Sequence, residues 1–519
     1  MVDPRTPVLV GCAQHKFPSG DTDAPPSALD LMAAAATGAC EDTGAKGVIK
    51  ALDGIAVTRS STDSAPHYGN PFGVFPNLPK SLANRLGAAP RHHWYSQVGG
   101  NTPQWLVNHM AELIAAGEVD AVLLAGGENQ RSVRRAMKAG LKLDWGDDPG
   151  GAPEVIGDGR MGVSPGELKY GIGAPAATYP LFENALAAHY GRGTNAHRQV
   201  IGRLFAPFSR IAAANPHAAL PIERTAVEIA TPTVENRMIS WPYTKYMNSN
   251  DNVDQAAALI IMSSAKADAL GIASEKRVYL HGSADTCDKW LVSERVNYHS
   301  SPAIRVGAAQ ALDMAGRTAA EMDFFDLYSC FPASVQIAAD EIGLAHDDPR
   351  RLTVTGGLPY FGGPGNNYSM HAIAEMMGRL RAQPGSFGFV SALGWYITKH
   401  SFGVYSTAPP AAPFHRADPA SYQGELDAMA SPVFTELANG TGTIETFTVV
   451  FDRDGPVRGI LIGRLDAGDA RFLANTPGDK ATLEALMGDG AIGRAINVTI
   501  EDGLNIARLA CDTRSSLRT

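Results

Sequence analysis

The sequence predicts an α/β fold made of two similar βα halves, followed by a small β-barrel. Three observations carry the prediction. Short apolar strands alternate with helical stretches over residues 1 to about 405. Segments of that stretch recur in order: Val278-Tyr279-Leu280 answers Val8-Leu9-Val10, and Asp323-Phe324-Phe325-Asp326-Leu327 answers Asp53-Gly54-Ile55-Ala56-Val57, both at an offset of 270. Beyond the Pro/Ala-rich run 407–413, apolar and polar residues alternate as in half-buried strands.

The first half spans 1–270. It opens on the strand Val8-Leu9-Val10, an alanine-rich helix over 29–40 and a strand over 54–57. Trp94-Tyr95-Ser96-Gln97-Val98 reads as a buried strand and runs into the turn Gly99-Gly100-Asn101. Thr102 is the expected N-cap, and Pro103 suits the first helical position, where its missing N–H costs nothing. Trp105, Leu106, His109, Met110, Leu113 and Ile114 then recur at helical spacing, and Ala121-Val122-Leu123-Leu124 is the next strand, ending in Gly126-Gly127. A strand, turn and helix in this order aim the turn residue along a helix N-terminus, whose free N–H groups favour a thiolate or an oxyanion. The aimed residues here are glycines. From about 130 to 245, Pro, Gly and aromatic residues surround helices near 178–190 and 195–213, the texture of an inserted lobe. A buried strand over 254–262 closes the half.

The second half spans 271–406. Gly362-Gly363-Pro364 answers Gly99-Gly100-Asn101, and Ala374-Glu375-Met376 answers Ala111-Glu112-Leu113, both at an offset of 263. The apolar run 387–394 answers the strand ending at Gly126. Two copies of one unit, each with a helix at the centre, are expected. An extended linker over 407–420 leads to a domain over 421–519, with strands over 442–450, 458–463, 470–473 and 495–500 and a turn at Asp454-Gly455-Pro456.

At 519 residues the chain is too long for one ordinary domain. With 45% hydrophobic and 19% charged residues it has the composition of a soluble globular protein with a large core. A net charge of −9 argues against a general affinity for nucleic acid or anionic membranes. Residues 421–519 carry 14 acidic against 9 basic residues and few aromatics, unlike the basic, stacking groove of a single-strand binder. The cysteines Cys12, Cys40, Cys287, Cys330 and Cys511 are scattered with no C-x-x-C pair, so neither a metal site nor a disulfide framework is expected. Without an apolar signal core or a run of about 18 apolar residues, the expectation is a cytoplasmic chain with no membrane span.

The run from Ala115-Ala116-Gly117-Glu118-Val119-Asp120 through Ala121 to Gly127-Glu128, the run Asp254-Gln255-Ala256-Ala257-Ala258, the duplicated halves and the inserted lobe together resemble the thiolase superfamily. The likeness covers about residues 5–405 and is nearest to thiolases of the sterol-carrier-protein type and their degenerate relatives. It implies a five-layered fold with a loop domain, about 130–245, that receives a coenzyme A ester. The C-terminal domain resembles, in texture, the OB-fold proteins found beside or fused to thiolase-like chains. On the four thiolase motifs, the nucleophilic cysteine falls on Gly100, and the histidine that activates it falls on Gly363. The acid/base C-x-G motif falls on Ala392-Leu393-Gly394, and the fourth motif, on Tyr328-Ser329-Cys330-Phe331, keeps only its cysteine and phenylalanine. Glycine has no side chain to acylate and alanine cannot titrate, so ordinary thiolysis and Claisen condensation are not expected. An oxyanion pocket needs only main-chain N–H groups, and Gly100 and Gly394 keep theirs. With Gly363, Tyr328 and Ser329 they make up the expected substrate-binding set.

Cys330, His400 and His371 are the candidate catalytic groups of a rebuilt site. Each is weighed against a packed, structural role: Cys330 at a strand end, His371 on a helix face, His400 just past the third motif. Asn366 and Asn367 stand where helix caps belong. Trp241-Pro242-Tyr243-Thr244-Lys245-Tyr246 is read either as a face for pantetheine or adenine or as lobe packing. Three functions stay open. The first is a coenzyme A or acyl-CoA binder in lipid metabolism that lacks ordinary thiolase chemistry. The second is an acyltransferase or thioester hydrolase with a rebuilt site. The third is a non-enzymatic scaffold presenting the barrel. Coenzyme A or acyl-CoA is the expected ligand, with no metal or other cofactor and no nucleic acid; a second acyl-CoA enzyme is the expected protein partner. Thiolases are usually dimers or tetramers, and the added domain stands to block their shared surface.

Overall fold

A computed structural model describes residues 2–18, 24–64 and 69–510; Cys511 and the rest of the C-terminus lie outside the described residues. The first half runs β1 (Pro7–Lys16), α1 (Ala28–Asp42), β2 (Gly54–Val57), α2 (Leu78–Leu86), β3 (His92–Ser96), α3 (Thr102–Ala116) and β4 (Ala121–Glu128). The lobe follows with α4 (Gln130–Ala139), β5 (Glu154–Ile156), α5 (Pro165–Lys169), α6 (Pro175–His189), α7 (Thr194–Ala214), α8 (Ala226–Ala230), β6 (Met238–Ser240) and β7 (Tyr243–Thr244). β8 (Gln255–Ser263) closes the half and α9 (Ser264–Ala269) leads out of it. The second half repeats the order with β9 (Val278–Cys287), α10 (Pro302–Ala315), β10 (Phe324–Asp326), α11 (Pro332–Ile342), α12 (Tyr368–Ala382), β11 (Phe387–Gly394) and β12 (Lys399–Ser406).

The repeat predicted from the sequence is present in the strand connections. In the first half β1–β8 and β8–β4 are antiparallel and β4–β2 parallel; in the second, β9–β12 and β12–β11 are antiparallel and β11–β10 parallel. The halves join through β1 and β9 over two residue pairs, Val8 with Tyr279 and Leu9 with Val278, giving the order β10-β11-β12-β9-β1-β8-β4-β2-β3-β5. Among the described residues the second half has no counterpart of β3; an irregular segment, 344–364, stands in its place. Both halves bring their first helix unusually close to their first strand. A Cβ at Gly11 would collide with the Ala39 carbonyl of α1, and one at Gly282 with the Ala311 carbonyl of α10. Alanine-rich helices permit that approach because their side chains add little thickness. α3 and α12 touch each other and strands of both halves, which makes them the shared centre.

Two additions set this chain apart from a bare pair of halves. β5 pairs with β3 and covers the edge that β3 would otherwise offer. The C-terminal region begins with α13 (Ala420–Asp427), which packs on β9 and α10, not on the strands that follow it. Those strands are β13 (Gly440–Phe451), β14 (Pro456–Leu465), β15 (Arg471–Asn475), β16 (Ala495–Glu501) and β17 (Leu504–Leu509), with α14 (Lys480–Met487) between β15 and β16. They close as β13-β14-β15-β17-β16-β13, a five-stranded barrel with its own apolar core around Phe447, Leu461 and Phe472. The alternating texture of the sequence located four of these strands and missed β17. β6 extends the barrel sheet through Ser240 and Val450. The segment 241–246 belongs to this junction: the Trp241 carbonyl accepts from Asn184 and Thr448, and Tyr243 OH donates to Glu183 at 2.6 Å. These contacts are lobe packing.

The barrel is pinned by Arg471, which is wholly buried. Its guanidinium pairs with Glu445 at 2.5 Å and donates to the main-chain carbonyls of Ser293, at 3.1 Å, and Arg295. Arg471→Ala is expected to cost about 3–5 kcal/mol, since it strands Glu445 and two buried carbonyls. Urea unfolding of the full chain measures this; a loss below about 1 kcal/mol would remove Arg471 from the account of the junction.

Candidate functional site

β3 ends at Ser96, and the chain turns through Gly99, at φ +152°, into α3. The N-cap is Asn101, one residue before the expected Thr102, and its side chain makes no capping bond. Asn101 Nδ2 instead donates to Ser401 Oγ on β12 at 3.2 Å, while its Oδ1, on a residue 7% exposed, has no partner. The turn is held by the other half of the molecule. Asn366 Oδ1 accepts from Gly99 N at 3.1 Å, Ser369 Oγ of α12 donates to Gly100 O at 2.9 Å, and Lys399 Nζ donates to Val98 O. Asn366 and Asn367 therefore do not cap α12 with their side chains. They tie the halves together, Asn366 through Gly99 and Arg59 O, Asn367 through Gly126 O at 2.7 Å.

Gly100 is a residue by necessity of space. A Cβ there would stand 2.5 Å from the Leu393 carbonyl oxygen and closer still to the Tyr328 hydroxyl. No real Cβ approaches so near, and both obstacles are buried. Gly363 is as confined: its Cβ would overlap the Ser249 hydroxyl, and its N–H donates to Asn250 O at 2.8 Å. The Gly394 position is closed by Asn101 Oδ1 at 2.5 Å and Lys399 Cε at 3.2 Å. Beside Tyr328, Ala392, Leu393 and His400 there remains a void of about 10 Å³, room for about one water. The Cβ positions of Gly100 and Gly394 are thus taken by the side chains of Tyr328, Asn101 and Lys399 and by the Leu393 carbonyl.

The other sequence candidates are dispersed. Ser329 Oγ accepts from Leu358 N at 3.3 Å and serves the 353–358 turn; it and Tyr328, adjacent in an extended segment, serve different neighbours. Cys330 lies 3.7 Å from Ser334 Oγ, beneath Tyr179, and lines neither of the cavities described here. Burial pushes its thiol up to about 11, the chemistry of a core cysteine. His371 sits two residues after Ser369 on α12 and so faces the other way, bonded to Gln14 at 2.9 Å and packed on Phe361. Burial, with His217 nearby, lowers it to about 3, so it stays neutral. His400 stays near the turn; its Nε2 lies 3.1 Å from Ile397 O and 3.7 Å from Asp288. Burial alone would raise Asp288, but Arg295 and His400 hold it below the usual carboxylate range.

A cavity of about 540 Å³ opens on the solvent side of the turn. Asn101 at the N-cap of α3, Trp105 of α3, Cys287 at the end of β9, and Lys399 and His400 at the start of β12 form its inner wall. The linker and α13 form the outer wall: Arg416 pairs with Asp285 at 2.6 Å and Glu112 at 3.3 Å, and Gln423 exchanges hydrogen bonds with the main chain of Cys287 at 2.8 and 2.9 Å. Sequence reasoning missed Lys399, Cys287 and this wall. The available signal was a lysine at the head of the apolar run 399–406. Burial pushes the Cys287 thiol up to about 12 and lowers Lys399 to about 8. No group of three or more His, Cys, Asp or Glu able to hold a metal occurs among the described residues. No described helix is long and apolar enough to cross a membrane.

Residues 421–503 match the family described as thiolase-like protein type 1 additional C-terminal domain. Among solved structures, a monomeric SCP2-thiolase-like protein type 1 from Mycobacterium smegmatis is 40% identical, with a TM-score of 0.84 over 98% of this chain and 100% of that one. An acetyl-CoA acetyltransferase from Syntrophomonas wolfei shares the fold, at 16% identity and a TM-score of 0.55, over 78% of this chain and 100% of that one. Among curated relatives, a 3-ketoacyl-CoA thiolase of Citrobacter koseri is 31% identical over 28% of this chain, and a probable acetyl-CoA acetyltransferase of Mycolicibacterium smegmatis 30% identical over 24%. The matched stretches span 35% and 30% of those two proteins.

The crowding at Gly100 is directly measurable. Gly100→Ala is expected to destabilise the chain by about 1–3 kcal/mol, the usual cost of overpacking. Adding Tyr328→Phe removes the nearest obstacle, the hydroxyl, and leaves Leu393 O at 2.5 Å and the ring carbon Cζ at 2.7 Å, so it is expected to restore part of that loss. Chemical denaturation of both single variants and the double variant reads the coupling; strict additivity would contradict the contact.

Proposed function

The chain belongs to the family of SCP2-thiolase-like proteins type 1, and from that premise we propose that it holds a coenzyme A thioester without cleaving or condensing it. The observation that carries this reading is the packing of Tyr328 and Leu393 against Gly100. On the thiolase motifs Gly100 stands in the nucleophile's place. An acyl-enzyme needs a side chain there, and the space for its first carbon is taken. Gly363, in the place of the activating histidine, is closed by Ser249 in the same manner. The void of about 10 Å³ beside the turn is too small for an acetyl group. The thioester's acyl end therefore sits outside the turn, in the cavity of about 540 Å³, a size suited to a small organic ligand. The names of the curated relatives, 3-ketoacyl-CoA thiolase and acetyl-CoA acetyltransferase, support an acyl-CoA as the ligand class.

Two assays on the full chain test the proposal. Acetoacetyl-CoA with free coenzyme A, followed by loss of the enolate absorbance, is expected to show no rate above buffer. Thermal unfolding with acetyl-CoA is expected to shift upward with ligand concentration, by about 2.7 kcal/mol of added stability at a hundredfold excess over Kd. Turnover, or a melting temperature unmoved by coenzyme A, acetyl-CoA and acetoacetyl-CoA alike, would overturn it.

A further inference from the structure

We infer that Lys399 is a carbonyl-reactive amine: an aldehyde or ketone entering the cavity forms an imine on its Nζ, with Asn101 Oδ1 accepting the hydroxyl of the carbinolamine that precedes it. Three observations meet at this point. Lys399 lies on the cavity wall, yet its amine reaches back into the glycine turn, where Nζ is 3.0 Å and Cε 2.9 Å from the site a Cβ on Gly99 would take. Asn101 Oδ1 is 2.5 Å from the same point, buried and without a partner. Among the described residues, no carboxylate pairs with Lys399: its hydrogen bonds go to the carbonyl oxygens of Val98 and, at 3.5 Å, Asp158. The Asp158 carboxylate is engaged by Arg160, at 2.6 and 2.9 Å.

A buried ammonium served only by carbonyl dipoles loses its proton more readily than an exposed one. Burial, reinforced by Arg160 and opposed by Cys287 and Asp158, lowers Lys399 to about 8. A sizeable fraction is then the free amine near neutral pH, whereas an exposed lysine, at about 10.4, is almost wholly protonated. The step balances without any further reagent. The nitrogen lone pair attacks the carbonyl carbon, forming the N–C bond, and the carbonyl oxygen takes the first nitrogen proton to become the carbinolamine hydroxyl. That hydroxyl takes a second proton from solvent and leaves as water as the C–O bond breaks and the C=N bond forms, and the second nitrogen proton returns to solvent.

The inference is independent of thioester binding, and its test uses no coenzyme A. The full chain is treated with acetone and sodium cyanoborohydride at about pH 7.5, and the reaction is stopped before an average of about one lysine has been alkylated. Peptide mass spectrometry then compares Lys399 with the exposed Lys480. Lys399 is expected to react at least about tenfold faster, and Asn101→Ala to slow Lys399 several-fold while leaving Lys480 unchanged. If Lys399 reacts no faster than Lys480 in the unmodified chain, it is a structural clamp on Val98 and the inference fails. If Lys399 is fast but indifferent to Asn101→Ala, the part assigned to Asn101 fails.

Discussion

Each half of this molecule ends its central turn against the other. Gly99-Gly100-Asn101 from the first half meets Tyr328, Asn366, Ser369, Leu393 and Lys399 from the second. The proposed function rests on that fit. A duplicated fold with α3 and α12 back to back brings two turns together at its centre, and here a phenol, a lysine and an asparagine pack between them.

Lys399 and Asn101 are both part of the plug and part of the wall of the cavity beyond it. The outer wall comes from the linker and α13, fixed by Arg416 on Asp285 and Glu112 and by Gln423 on Cys287. Ile156, at the end of the β5 that covers the edge of β3, lines the same cavity. The features that set this chain apart, the covered strand edge, the folded-back linker and the docked barrel, therefore gather around the turn and the lobe. The sheets themselves keep the repeat intact.

Much of this was legible in the sequence because it is local. Strand and helix periodicity located β2 and β11 to the residue and α3 within one residue of its cap, and the glycine turn lies between β3 and α3 as its residues predict. The repeat was visible because both halves need the same strand connections. The register that places Lys399 opposite Cys287 and brings it to Gly99 was not legible, since it depends on pairings across hundreds of residues. Nor was the role of Tyr328 as the occupant of the turn: sequence gives the identity of its neighbours, not the direction of its ring. His371 shows the converse. It was singled out for its chemistry, but a shift of two residues from Ser369 turns it to the opposite helix face, toward Gln14.

The central claim is that no sulfur or oxygen of this chain takes up an acyl group from a thioester. Intact-mass spectrometry of the full chain after incubation with acetyl-CoA, followed by peptide mapping, tests it most directly. The account predicts an unchanged protein mass and intact acetyl-CoA recovered from solution. An acetyl group found on Cys330, Cys287, Tyr328 or any serine around the turn would contradict it.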